Sequence, residues 1–161
     1  MSNTEDKKGF SLDIVELQDY QQNRYPYLLI DHVDEVIPGV SAKGFKNFTF
    51  NEWFFPKHFE GAPNVPGAIQ LESLAQMITI AITTLPELKG KTTRFISADL
   101  KFTKEIVPGN KLEIETKVDS WKRGLLHGTG FGYVDGELAV QAKMVISVPD
   151  IFLKFIPPKK K

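Results

Sequence analysis

The sequence predicts an α+β domain: an antiparallel β-sheet wrapped on one central helix. Three observations lead there. One apolar stretch, from about Pro66 to about Leu85, has the length and composition of a buried helix. Two extended segments precede it. About four strand segments follow it, two of them with a period of two, separated by turn signals. With 161 residues, the chain is one domain on length and large enough for its own core.

In chain order, Met1 to Gly9 reads as a polar tail. Ser11 is placed to cap a short helix carrying Leu12, Val15 and Leu17, which stops before Pro26. Tyr27 to Val36 reads as a strand, Pro38-Gly39 as a turn and Val40 to Phe50 as a second strand. The helix follows, opened by Pro66, whose missing N–H costs nothing in a first turn, and closed by Pro86. Arg94 to Ile106 is extended, with a turn at Pro108-Gly109, and Lys111 to Val118 alternates. Leu125 to Val134 meets the hairpin signal Asp135-Gly136. Leu138, Val140, Ala142, Met144, Ile146 and Val148 share one face of the last strand. Pro157 to Lys161 reads as a solvated tail, leaving residues 1–161 as one domain.

Composition narrows the function. Lys plus Arg and Asp plus Glu both number 20, so the basic excess of a nucleic-acid binder is missing. The absence of cysteine excludes a disulfide scaffold and thiolate chemistry, and fits a cytoplasmic protein. Three histidines and no cysteine leave little for a soft-metal site, and neither metal nor cofactor is expected. The N-terminus has no apolar run of a signal peptide, and the central stretch reads as a soluble helix rather than a membrane span.

Glu72, Gln76, Thr79 and Thr83 form one polar stripe on the otherwise apolar helix, and Glu72 is its charged member. A carboxylate there must be paired, sit at a cleft or reach an exposed edge. Just before the helix, FFPKHFEGAPNVPG is a stiff loop holding His58 between aromatics. Six of the twelve phenylalanines lie from Phe45 to Phe59, as core or as the wall of an apolar cavity.

Several pieces resemble one family. They are Arg24-Tyr25-Pro26-Tyr27-Leu28-Leu29-Ile30-Asp31, Lys46-Asn47-Phe48-Thr49-Phe50-Asn51-Glu52, Phe54-Phe55 through His58-Phe59 and Gly61, Pro66-Gly67, and Glu72-Ser73-Leu74-Ala75-Gln76. Val107-Pro108-Gly109-Asn110 and Val134-Asp135-Gly136-Glu137 match later turns. Together, over roughly Asp19 to Val148, they resemble the (3R)-hydroxyacyl-acyl carrier protein dehydratases, hydro-lyases of fatty acid synthesis. The resemblance implies a hotdog fold and a catalytic pair of His58 and Glu72. It also implies a homodimer, or a trimer of dimers, whose sites are shared between chains. The implied reaction takes a (3R)-hydroxyacyl thioester on acyl carrier protein to the trans-2-enoyl thioester.

The chemistry suits those residue types. A neutral imidazole can take the weakly acidic C2 proton, and a carboxylic acid in an apolar site can protonate the C3 hydroxyl. Backbone N–H groups around Gly67, at the positive end of the helix, suit the developing enolate oxygen, and glycine there permits close approach. Gln76, one turn beyond Glu72, is placed to orient it or to pack at an interface. An acidic carrier protein calls for a basic entrance, with Lys57, Arg94, Lys122 and Arg123 as candidates.

The sequence departs from the family's pattern at Lys57, Glu60, Val65 and Asn23, the last standing where a histidine commonly precedes Arg-Tyr-Pro. A carboxylate at Glu60 near His58 would favour imidazolium and weaken the base, which makes Glu60 a candidate modulator; pointing to solvent or paired with Lys57, it would do little. Two other functions suit the same fold: a thioester hydrolase, and a non-catalytic protein that binds acyl chains or a partner.

Overall fold

The computed structural model describes residues 8–158. Residues 1–7 and 159–161, most of the two expected tails, lie outside the described residues. Seven strands form one antiparallel sheet: β1 (Phe10–Leu12), β2 (His32–Ile37), β3 (Ser41–Asn47), β4 (Arg94–Phe102), β5 (Lys111–Lys122), β6 (Leu125–Val134) and β7 (Glu137–Ser147). Their order across the sheet is β1-β2-β3-β5-β6-β7-β4. The long helix α1 (Gly67–Thr83) packs on β2, β3, β5, β6 and β7, and a short α2 (Pro149–Phe152) follows the last strand.

Helix α1 starts and stops within two residues of its predicted ends. Pro66 is its N-cap and Thr84 its C-cap. Leu74, Met77, Ile78, Ile80 and Ala81 are fully buried, and the polar Gln70, Ser73, Gln76, Thr79 and Thr83 are buried too. The hydroxyls survive burial by bonding back into the helix: Ser73 donates to the Ile69 carbonyl and Thr83 to that of Thr79. Close approach to the sheet depends on Gly128 in β6. A Cβ there would stand 2.0 Å from Cδ1 of Ile78.

The β6–β7 turn is as expected: Asp135 and Gly136 have φ of 50° and 78°, the left-handed pair of a tight hairpin. Three expectations need correction. The segment from Ser11 is not helical: Phe10–Leu12 is a strand, paired with β2. Asp13 rather than Ser11 supports the entry to the 3₁₀ turn Glu16–Asp19, whose N-cap is Val15, with its Oδ1 accepting the N–H groups of Val15 and Glu16. Residues 27–31 precede the strand rather than belong to it, although the Asp31 N–H donates to the Phe45 carbonyl; part of their backbone bonding goes to a side chain, with the Tyr27 carbonyl accepting from Gln76 and the Leu29 N–H donating to it.

Strand β4 closes one end of the sheet and pairs only with β7. Every residue in it except Leu100 is exposed, including Phe95, Ile96 and Phe102. A strand edge left open in this way, with Phe95, Ile96 and Phe102 exposed beside charged Arg94, Asp99 and Lys101, can pair with another chain.

Candidate active site

The loop from His58 to Val65 is closed by its own backbone. Phe59 and Ala62 exchange N–H groups and carbonyls at 3.2 and 3.0 Å, and the Asn64 N–H donates to the His58 carbonyl at 2.8 Å. The His58 ring completes the loop, with Nδ1 3.0 Å from the Asn64 carbonyl oxygen. A carbonyl only accepts, so Nδ1 carries the proton and the neutral ring keeps Nε2 as a bare acceptor. The loop is anchored at its far end. The Val65 N–H donates to the Ile106 carbonyl at 2.8 Å, and Gln70 Nε2 donates to the Val65 carbonyl at 3.0 Å.

Gly67 follows directly and opens α1. The Pro66 carbonyl takes the N–H groups of Ile69 and Gln70, and the N–H of Gly67 precedes them in the first turn, where a helix offers it no carbonyl. A Cβ on Gly67 would stand 2.7 Å from the edge of the Phe102 ring. The glycine therefore leaves room for Phe102 of β4 as well as for any ligand approaching the helix start.

Glu72 is half-buried, one turn before Gln76. Gln76 Nε2 donates to Glu72 Oε1 at 2.9 Å and to the Tyr27 carbonyl at 2.7 Å, while its Oε1 accepts the Leu29 N–H at 2.7 Å. Both N–H groups of the Gln76 amide are thus spent within the chain. The carboxyl opens into a pocket of about 160 Å³ whose wall includes Asn23, Thr93 and Phe95. No residue of the His58 loop lines that pocket, and the His58 ring bonds to Asn64 rather than to Glu72. Within one chain, the His58 loop and the Glu72 pocket are therefore separate.

A second cleft, of about 460 Å³, lies beside the His58 loop, with Phe50, Phe55, Lys57, Phe59 and Glu60 in its wall. The cluster of six phenylalanines divides accordingly. Phe48, Phe54 and Phe55 are core, Phe50 and Phe59 are exposed, and Phe45 stacks on His32. Glu60 is exposed, and the hydrogen bonds and ion pairs among the described residues include none between it and His58 or Lys57. Arg94 begins β4, next to Thr93 and Phe95 of the Glu72 pocket. Lys122 and Arg123 sit at the β5–β6 turn, where Arg123 lies over the ring of Phe155 at 5.7 Å.

Three contributors were not legible as site residues. The carbonyls of Tyr27 and Asn64 leave no trace in residue type. Asn23 showed only as a departure from a pattern, yet its Nδ2 donates to Glu72 Oε1 at 3.2 Å.

The seven-stranded antiparallel sheet packed on one long helix defines a hotdog-fold protein. Solved structures share that fold. They include a dehydratase heterocomplex from Xenorhabdus doucetiae, 13% identical at a TM-score of 0.72 over 86% of this chain and 95% of that one. A protein of Pyrococcus horikoshii is 16% identical at 0.62 over 81% and 91%. The model of the FabA-like domain matches residues 22–143, and the chain belongs to that family. Among its relatives, a 3-hydroxyacyl-acyl carrier protein dehydratase of Clostridium novyi is 40% identical over 86% of this chain and 98% of its own length. The corresponding dehydratase of Enterococcus faecalis is 38% identical over 85% and 98%.

Proposed function

We propose that the protein dehydrates (3R)-hydroxyacyl thioesters carried on acyl carrier protein, giving the trans-2-enoyl thioester and water. The observation that carries this reading is the pair of prepared half-sites: an imidazole with Nε2 bare and a carboxyl held by an amide one turn away. His58 Nε2 takes the C2 proton. Glu72, as the acid, protonates the C3 hydroxyl as the C–O bond breaks, and water leaves. Charge developing on the thioester oxygen meets the Gly67 N–H and the positive end of α1. Proton exchange with solvent then restores His58 and Glu72. Gln76 touches no substrate in this scheme, because its amide is committed to Glu72, Tyr27 and Leu29.

The two half-sites meet in a homodimer built on β4. Phe95, near one end of that strand, lines the Glu72 pocket, and Phe102, at the other end, covers the helix start reached through the His58 loop. Antiparallel pairing of two β4 edges would lay the Phe102 end of one chain along the Phe95 end of the other. His58 of one chain would then face Glu72 of its partner. The cleft lined by Phe50, Phe55 and Phe59 suits an acyl chain, and Arg94, Lys122 and Arg123 suit an acidic carrier. No helix among the described residues is long and apolar enough to cross a membrane, and the cytoplasm is the proposed compartment.

The test is incubation with a (3R)-hydroxyacyl thioester, following enoyl absorbance and free thiol separately. Enoyl product without thiol is expected. Thiol release would make the protein a hydrolase, and neither signal would make it a binder.

A further inference from the structure

Two side-chain amides converge on one oxygen of Glu72. Gln76 Nε2 is 2.9 Å and Asn23 Nδ2 3.2 Å from Oε1. The same two nitrogens share a second acceptor, the Tyr27 carbonyl, at 2.7 and 3.4 Å. A primary amide has two N–H donors, so both amides spend all they have on these two oxygens. An oxygen facing two N–H donors accepts and has no direction left in which to hold a proton. A proton on this carboxyl therefore rides on Oε2.

Asn23 is itself held in place. Its backbone N–H donates to Gln21 Oε1 at 3.3 Å, and Gln21 Nε2 donates to Thr79 Oγ1 at 3.2 Å, which pins residues 21–23 to the stripe of α1. Arg24 lies next in sequence, but its guanidinium donates to the carbonyls of Gln18, Gln21 and Asn23 and not to the carboxylate. Glu72 is thus steadied by neutral amides. The rest of its pocket, Gln21, Thr79, Thr93, Ala75, Phe95 and Ile146, carries no ionisable group.

We propose that Asn23 is a positioning residue that locks Oε1 of Glu72 together with Gln76 and so presents Oε2 as the oxygen that gives its proton to the leaving hydroxyl. The inference rests on the reading of Glu72 as the acid. It predicts a loss confined to turnover: substrate binding does not use the orientation of this carboxyl, whereas the proton transfer does.

A double-mutant cycle tests it, using the full-length protein and a (3R)-hydroxyacyl thioester. Asn23→Ala should lower kcat about 10-fold with KM unchanged, the scale of one lost hydrogen bond to a carboxyl. Asn23→Asp, which removes the donor and sets a like charge beside Glu72, should lower it further. In a Glu72→Gln background, Asn23→Ala should cost nothing more, because the group it orients is gone. Thermal melts accompany each variant; if Asn23→Ala melts early, Asn23→Leu, which is neutral and close to asparagine in size but has no donor, carries the same test. A kcat within twofold of the parent, or an equal loss in both backgrounds, would overturn the inference while leaving Glu72 as the acid. Parental turnover in Glu72→Gln alone would overturn the reading beneath it, and the inference with it.

Discussion

Nδ1 of His58 lies 3.0 Å from the carbonyl oxygen of Asn64, six residues on, so the loop that carries the proposed base also selects its tautomer. The expected signature is a neutral ring protonated at Nδ1 and bare at Nε2, read from ¹⁵N shifts of the imidazole. A ring protonated at Nε2 would leave it with no basic nitrogen free for substrate.

His58→Ala and Glu72→Gln should each lower turnover by about 10²–10⁴-fold, the range of general acid–base groups, with thermal melts unchanged. Mixed after brief unfolding and refolding, the two inactive proteins should recover about a quarter of parental activity, since half the dimers are mixed and each carries one intact site. No recovery, with mixed dimers demonstrated, would place both residues of a site in one chain.

The exposed edge of β4 gives an independent handle on assembly. Ile96 is 55% exposed in the isolated chain and contributes nothing to its core. Ile96→Lys should leave the chain folded but shift it to a monomer in sedimentation, with turnover falling as the dimer is lost. A monomeric variant with parental turnover would refute the shared site.

Glu60, the candidate modulator of His58, is placed where it should matter little. It is exposed on the cleft wall, where water screens it. Glu60→Gln should keep kcat/KM within about threefold of the parent across neutral pH. A clear gain at the acid side would restore Glu60 as a modulator of His58.

Much of the fold was readable because its signals are local. The length of α1, the turn residues Asp135 and Gly136, and the period of two in β7 are written in consecutive residues. The failures came where a partner far away in sequence decided the outcome. Residues 27–31 have strand composition, but Gln76 takes the bonds at Tyr27 and Leu29 that a neighbouring strand would have taken. Ser11 looks like a cap until Asp13 is seen to hold the same turn. In the candidate site, His58 and Glu72 were named through the family resemblance, and Gly67 by its place at the start of the helix. Asn23 could not be named in either way, since its role depends on a contact spanning 49 positions.

Gly128 has a consequence beyond packing. With 2.0 Å between an added Cβ and Cδ1 of Ile78, an alanine there would act as a shim under α1, and a rigid rod shimmed at one point tilts along its length. Glu72 stands six residues along that rod. The altitude of that carboxyl is therefore specified by an atom that is missing from a strand. Positions 78 and 128 make up a single dimension of the site, and a redesign that enlarges one has to shrink the other to keep the carboxyl level with its substrate.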